Sequence, residues 1–468
     1  MNDEPRDTPE DDFREMLREF LSGNGELDPA KLASAAGLPN DPELVSQLIS
    51  QLQSALQSSE EGVNWGLALD QATALAGRSS VVSLPAERSQ LEQAFHVASL
   101  WLAESTDISE LTVTPRLISR TEWVTATMPI WTQLAEPVAT SIANALTGVL
   151  EEQAPAEFEG MMANASQLMR NVGGTLFAMQ LGQVVGQLSS EVVSGGDIGI
   201  PLIGLADVGV GGVGVGGVGL GGVGLDDSAP QAIMIPQNVA AFGAGLDIPI
   251  DQVQLYLAVR ELAHARLFRH AKWLRLQLLS AITEFARGIS IDTERLEALA
   301  GELDPSNPEE LRAALSSGAL IPPKTDEQLA ALARLETTLA LVEGWVDVVT
   351  AQSTSRLPKS AAIAETVRRR RAAGGPAESA FATLVGLELR PRRLREAAAM
   401  WQQITDAVGA EARDALWQHP DVVPTADDVT DPTALLARLR GGTAPPDDVD
   451  QAIEDLLNDT GTDRPTEE

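Results

Sequence analysis

Apolar residues recur along this chain with the three-to-four-residue spacing of amphipathic helices, and few segments show the alternation of a strand. A segment with this spacing can bury its apolar side only as a helix, so the pattern constrains the fold strongly. We therefore expect a mainly α protein with many helices and few short strands, and with short extended pieces at Ile198–Ile203 and Ile233–Ile235. The clearest helical segments are Glu43–Ser58, Ala86–Glu104, Ile130–Glu151, Phe158–Leu188, Gln252–His270 and Gln328–Thr350.

One run breaks the helical pattern. Val208–Leu225 repeats VGVGG and contains ten glycines among 18 residues. Each glycine in a helix costs about 1 kcal/mol relative to alanine, so this run is neither a stable helix nor a membrane span. We interpret residues 207–230 as a flexible linker between helical regions at 61–206 and 231–440. Acidic tails are expected at 1–60, partly disordered with short helices, and at 441–468.

Charge and composition exclude several functions. The chain has 33 basic and 67 acidic residues, a net charge of −34, and this surface repels nucleic acids and anionic lipids. The expected partner is therefore an unknown protein or peptide, with no nucleic acid and no membrane. The basic run Arg368–Arg371 is interpreted as a solvated helix face, or as a docking surface for an acidic partner or for the chain's own tail. The N-terminus lacks the features of a secretory signal, which predicts a cytoplasmic protein.

The chemistry concentrates in one predicted helix, DQVQLYLAVRELAHARLF. At 100° per residue, Arg260, Glu261 and His264 fall within the apolar side of that helix. Burying charges without partners costs several kcal/mol each, so these three groups need partners or a ligand. In an HExxH helix, two histidines hold Zn²⁺ and the glutamate takes a proton from the bound water. Here Arg260 stands where the first histidine would be.

The chain resembles the bacterial zincin-like metallopeptidase family, a group of proteins assigned as hydrolases and related to proteins associated with coenzyme F420 biosynthesis. The resemblance covers roughly Glu61 to Pro432, and relatives carry either HExxH or, as here, RExxH. The stretches that carry it are VNWGLALDQA (63–72), GQLSSEVVSGGDIGIPL (186–202), IPQNVAAFGAGLDIPIDQVQLYLAVRELAHARLF (235–268), LALVEGWVDVV (339–349) and GGPAESAFATLVGLELRPRRLREA (374–397).

The resemblance implies a multi-helix zincin-like fold, a set of site residues and zinc as the cofactor. Glu261 corresponds to the general base and His264 to a metal ligand. Glu284, 20 residues after His264, resembles the third ligand of glutamate-type zincins, and Glu343 is a second candidate. Relatives with the intact motif resemble EGH at Glu343, where this chain has Trp345, so both imidazole positions are replaced together.

Three functions remain open at this point. A guanidinium has no lone pair for a metal, so Arg260 can replace the metal's charge by pairing with carboxylates. The favoured interpretation is a zincin-like family member with a degenerate site, catalytically impaired and acting through protein binding. The alternative is an active zinc-dependent metalloprotease with Glu261 as general base. The third is a metal-free hydrolase in which Arg260 is the electrophile and Glu261 or His264 the base.

Overall fold

The fold is known from a computed structural model that describes residues 63–152, 174–175, 177–200, 231–287, 324–372 and 393–441. The predicted linker at 207–230 and the two terminal tails, apart from Gly441, lie outside these residues. The chain divides into two compact units, one made of residues 65–141 and 179–468 and the other of residues 1–64 and 142–178. Every site residue considered below belongs to the first of these units.

Helices dominate the described residues, which confirms the prediction of a mainly α fold. No helix among them is long and apolar enough to cross a membrane. The helices, in chain order, are α1 (Trp65–Arg78), α2 (Pro85–Ala103), α3 (Arg120–Glu152), α4 (177–188), α5 (Pro236–Ala244), α6 (Ile250–His270), α7 (Lys272–Arg287), α8 (Asp326–Ser353), α9 (Ser360–Ala372), α10 (Leu394–Ala415), α11 (Ala426–Thr430) and α12 (Thr433–Leu439).

The strands of the described residues form one small parallel pair. Strand β1 (Arg116–Leu117) lies beside β2 (Ile233–Met234), with Arg116 opposite Ile233. The extended segment predicted at Ile233–Ile235 is thus confirmed. The extended segment predicted at Ile198–Ile203 is wrong at its first residue, because Ile198 ends a 3-10 turn (Gly195–Ile198) that packs on α6. Residues 201–203 lie outside the described part of the chain.

Helix α6 lies at the centre of the unit made of residues 65–141 and 179–468. It packs against α2, α5, α8 and α9 and against the 3-10 turn, so most of its circumference is buried rather than one stripe. Its large side chains Tyr256 and Phe268 are fully enclosed, as is Trp345 of α8. Among the ionisable groups of α6, Glu261, His264 and Arg266 therefore face other elements of the protein and not solvent.

A local sequence signal fixes the start of α8. The Thr325 hydroxyl accepts a hydrogen bond from the Gln328 backbone N–H, and the Gln328 side-chain oxygen accepts one from the Thr325 N–H. This reciprocal pair satisfies two of the free N–H groups at a helix start. The Gln328 amide also donates to the Phe285 carbonyl, which joins the start of α8 to the end of α7.

Candidate functional site

The RExxH motif lies in the second half of α6, opposite α8 and α9. Tyr256, Arg260 and His264 are spaced four residues apart and so share one side of the helix. Glu261 is 2% exposed and His264 is 3% exposed, whereas the Arg260 side chain is 12% exposed. The motif is therefore enclosed by the protein, as the sequence predicts for groups within an apolar helix side.

Glu343 of α8 lies between two arginines. Its carboxylate accepts a hydrogen bond from Arg260 Nη2 and another, at 2.5 Å, from Arg371 Nη2 of α9, and its side chain is 1% exposed. Burial raises the pKa of Glu343, but the charges of Arg371 and Arg260 outweigh burial and hold that pKa below its usual value. Glu343 is thus an ionised carboxylate whose two oxygens both bind guanidinium groups.

Glu261 binds the main chain of two neighbouring segments. One oxygen accepts the Gly196 N–H at 2.8 Å and the other accepts the Ile233 N–H at 2.9 Å. Burial raises the pKa of Glu261 to about 7, although these two hydrogen bonds act in the opposite direction. The carboxylate that the HExxH pattern assigns to water activation therefore fastens the 3-10 turn and strand β2 to α6.

His264 is buried and neutral. Burial lowers the pKa of its imidazole to about 4, and the charge of Glu343 raises it only in part. Its ring lies 4.7 Å from the Phe268 ring, measured between centroids, and Nε2 has no hydrogen-bond partner among the described residues. A Cβ at Gly196 would lie 2.6 Å from the His264 ring, so only glycine lets the turn approach this closely.

Two further ion pairs extend the cluster on α9. Arg368 donates to Asp347 at 2.8 Å, and Arg370 donates to Asp197 of the 3-10 turn at 3.0 Å. Four guanidinium groups thus bind three carboxylates, and a bound divalent cation would add uncompensated positive charge. The seven groups of this ion-pair cluster are Arg260, Arg368, Arg370, Arg371, Asp197, Glu343 and Asp347.

The structure does not bring Glu284 to this cluster. Glu284 lies on α7 with its side chain 55% exposed and binds Arg334 of α8 at 2.8 Å on the protein surface. Trp345 also faces another part of the protein, where its indole N–H donates to Asp414 Oδ1 at 2.9 Å. Positions 343 and 345 are about 200° apart on a helix. Position 345, where the resemblance leads us to expect histidine, is thus directed away from the RExxH motif.

Sequence reasoning missed Asp197, Asp347 and the role of the α9 arginines in this cluster. The sequence predicts a solvated face or a docking surface at the basic run Arg368–Arg371, but three of its four arginines bind buried or partly buried carboxylates of the same chain. Arg369 alone among the four is strongly exposed, at 77%, and pairs with Glu365 one turn earlier. Consecutive arginines beside a helix rich in buried residues were the available signal.

The residues present do not fit a zinc ion. Zinc sites in proteins need three or four lone-pair donors, and the donors must be free of protons and of competing cations. At this site Arg260 offers no lone pair, and both oxygens of Glu343 bind guanidinium groups. Among the described residues, no three His, Asp or Glu side chains lie close enough together to hold a metal.

The chain is similar to one described protein family and to one solved structure. Residues 63–436 match the family model described as zincin-like metallopeptidase. The chain is also similar to a protein from Chloroflexus aurantiacus whose crystal structure is described as that of a putative hydrolase with a novel fold, at 18% identity and a TM-score of 0.52. The similarity covers 81% of this chain and 99% of that one and shows a shared fold. No curated protein matches the sequence significantly.

Proposed function

Since the chain belongs to the zincin-like metallopeptidase family, we propose that it is a member without zinc at its RExxH helix, which binds a protein partner and hydrolyses no peptide there. One observation carries the part of the proposal that concerns zinc. Glu343, a candidate third metal ligand, is buried and is bound by Arg260 and by Arg371. The two guanidinium groups supply the two positive charges that a zinc ion would bring.

The ion pairs oppose metal binding energetically. A zinc ion at Glu343 would have to displace at least one guanidinium from a carboxylate that is 1% exposed. Breaking a buried ion pair by removing one partner costs about 3–5 kcal/mol, because the remaining charge stays buried and unpaired. A permanently charged arginine also repels the incoming cation, since it cannot lose its proton near neutral pH.

The remaining groups are poorly arranged for hydrolysis without a metal. A general base must lie within hydrogen-bond reach of the proton that it removes. Both oxygens of Glu261 already accept hydrogen bonds from main-chain N–H groups. The imidazole of His264 packs closely against Gly196. These contacts support a structural role for the motif, in which α6, the 3-10 turn and β2 are held together.

The zinc content of the full chain tests the proposal. Protein purified without added metal, and the same protein dialysed against zinc and then desalted, should both contain well below one zinc per chain. Neither preparation should cleave a casein or mixed-peptide substrate. Arg369→His is the matched control, because it adds an exposed histidine to the same helix as Arg371 and reports surface binding of zinc. Stoichiometric zinc in the parent that is lost in His264→Ala would refute the proposal and favour the active metalloprotease.

A further inference from the structure

Tyr256 is the one tyrosine of the chain, and it lies on the same side of α6 as Arg260 and His264. Its side chain is fully buried, and its hydroxyl makes no hydrogen bond with any group among the described residues. A buried polar group without a partner calls for an explanation in a native structure, such as a bound water or ion. Tyr256 therefore indicates a ligand on this side of α6.

The hydroxyl of Tyr256 lies among charged groups. Burial raises the pKa of Tyr256 to about 12, the charges of Arg260 and Arg368 lower that pKa, and the charge of Asp347 raises it. The hydroxyl therefore keeps its proton near neutral pH and needs an acceptor. Asp347 is not that acceptor, since both of its oxygens accept hydrogen bonds from Arg368 and neither binds Tyr256.

The two arginines near Tyr256 have N–H groups that are not used inside the protein. Arg260 follows Tyr256 by one helical turn, so the two side chains are neighbours on α6. Arg260 donates to Glu343 through Nη2, and Arg368 donates to Asp347 through Nε and Nη2. Their other guanidinium N–H groups donate to no group among the described residues. Both side chains are partly exposed, so a ligand that offers acceptors can reach them from solvent.

The charge of the ion-pair cluster indicates the class of ligand. Among the described residues, its four guanidinium groups bind only three carboxylates, which leaves one positive charge. Glu261 does not compensate that charge through an ion pair, because its two oxygens bind main-chain N–H groups. A carboxylate carries one negative charge and about four acceptor positions, and guanidinium groups bind it strongly. A phosphate group, with a charge of about −1.5 to −2 near pH 7, would exceed the balance.

We propose that Tyr256, Arg260 and Arg368 bind the carboxylate group of a ligand between α6 and α9, with the Tyr256 hydroxyl and Arg260 as its inner donors and Arg368 at its exposed side. The side of α6 at which the family resemblance implies a cation then receives an anion. The carboxylate belongs either to a small free acid or to the C-terminus of a peptide, and in the second case the site receives the protein partner proposed above.

The inference rests on the proposed function in one respect, namely that no zinc ion displaces Arg260 from Glu343. Its test contains no zinc and no peptidase assay. A failure to bind a carboxylate would therefore leave the zinc content of the chain, which tests the proposed function, unchanged.

The single tyrosine gives a direct test. The full chain made with 3-fluorotyrosine carries one kind of fluorine label, at Tyr256, and should show one ¹⁹F NMR resonance. Sodium acetate, titrated against sodium chloride at constant ionic strength, should move this resonance along a saturating curve that fits one site. A resonance that moves neither with acetate nor with the carboxylate peptide below would overturn the proposal. The same shift on raising sodium chloride alone would also overturn it.

Two peptides separate the two sources of the carboxylate. N-acetyl-alanyl-alanine has a free C-terminal carboxylate, and its C-terminal amide is the matched control. A shift with acetate but not with the free peptide would identify a small acid as the ligand, and a shift with the free peptide would identify a peptide C-terminus. An amide that moves the resonance as far as the free peptide would show that no carboxylate is recognised, which would refute the proposal.

Variants make the test specific to these side chains. Arg260→Gln should weaken acetate binding by at least about tenfold, because it removes a charged donor. Arg369→Gln is the matched control, since Arg369 is exposed on the same helix as Arg368 and pairs with Glu365, and it should bind acetate as the parent does. Acetate binding of equal strength in Arg260→Gln and the parent would refute the proposal.

Tyr256→Phe keeps the test decisive if Arg260→Gln does not fold, because it removes only a hydroxyl that makes no hydrogen bond among the described residues. Without acetate it should melt at the temperature of the parent or higher. Acetate should raise the melting temperature of the parent and of Arg369→Gln at constant ionic strength, and this rise should be lost in Tyr256→Phe. An equal rise in Tyr256→Phe would show that the hydroxyl does not bind the ligand, and the proposal would be wrong.

Discussion

Replacing Arg371 by methionine should destabilise the protein by about 3 kcal/mol, because methionine keeps most of the apolar stem but removes the charge that binds Glu343. Removing one partner of a buried ion pair typically costs about 3–5 kcal/mol. We expect the lower end, since Arg260 remains bound to the other oxygen of Glu343. The change also removes the donor that binds the Gly196 carbonyl at 2.7 Å, which adds to the cost.

Urea unfolding followed by circular dichroism would measure this loss, with Arg369→Met as the control. Arg369 lies on the same helix but is strongly exposed, and a surface ion pair is worth about 0–1 kcal/mol. Arg371→Met should therefore lower the unfolding free energy by at least about 2 kcal/mol more than the control. Equal losses in the two variants would show that the ion pair between Arg371 and Glu343 does not stabilise the fold. The interpretation that two guanidinium groups replace a metal ion would then be wrong.

Three further predictions concern the same helices. His264→Gln should make folding less sensitive to acid. Burial lowers the pKa of His264 from 6.5 to about 4, so the parent loses up to about 3 kcal/mol of unfolding free energy as the pH falls through that interval. Unfolding curves measured at pH 7.5 and pH 4 should show a smaller loss for the variant. The double variant Arg260→His with Arg371→Leu should gain a zinc-dependent rise in melting temperature that Arg260→His alone lacks, because Arg371 still binds Glu343 in the single variant. Glu284→Gln should change stability by less than about 1 kcal/mol and should not affect zinc binding by the double variant, since Glu284 forms a surface ion pair with Arg334.

The sequence was sufficient for properties that depend on residues close together in the chain. Helical periodicity predicted the mainly α fold, the family resemblance is confirmed by the match over residues 63–436, and the segment at Ile233–Ile235 contains strand β2. The RExxH spacing also showed that Arg260, Glu261 and His264 share an apolar helix side and need partners. Apart from the family resemblance, each of these inferences uses the geometry of a single helix or strand, which three or four neighbouring residues determine.

The identity of those partners depended on the tertiary structure. Glu343 lies 83 residues from Arg260, and the Gly196 N–H that binds Glu261 lies 65 residues before it, so no local pattern couples them. The sequence equally allowed Arg371 to face solvent, because a helix pattern gives the side on which a residue lies and not which element packs against that side. Packing of α9 and the 3-10 turn on α6 decides that burial, and burial in turn requires each charge to find a partner.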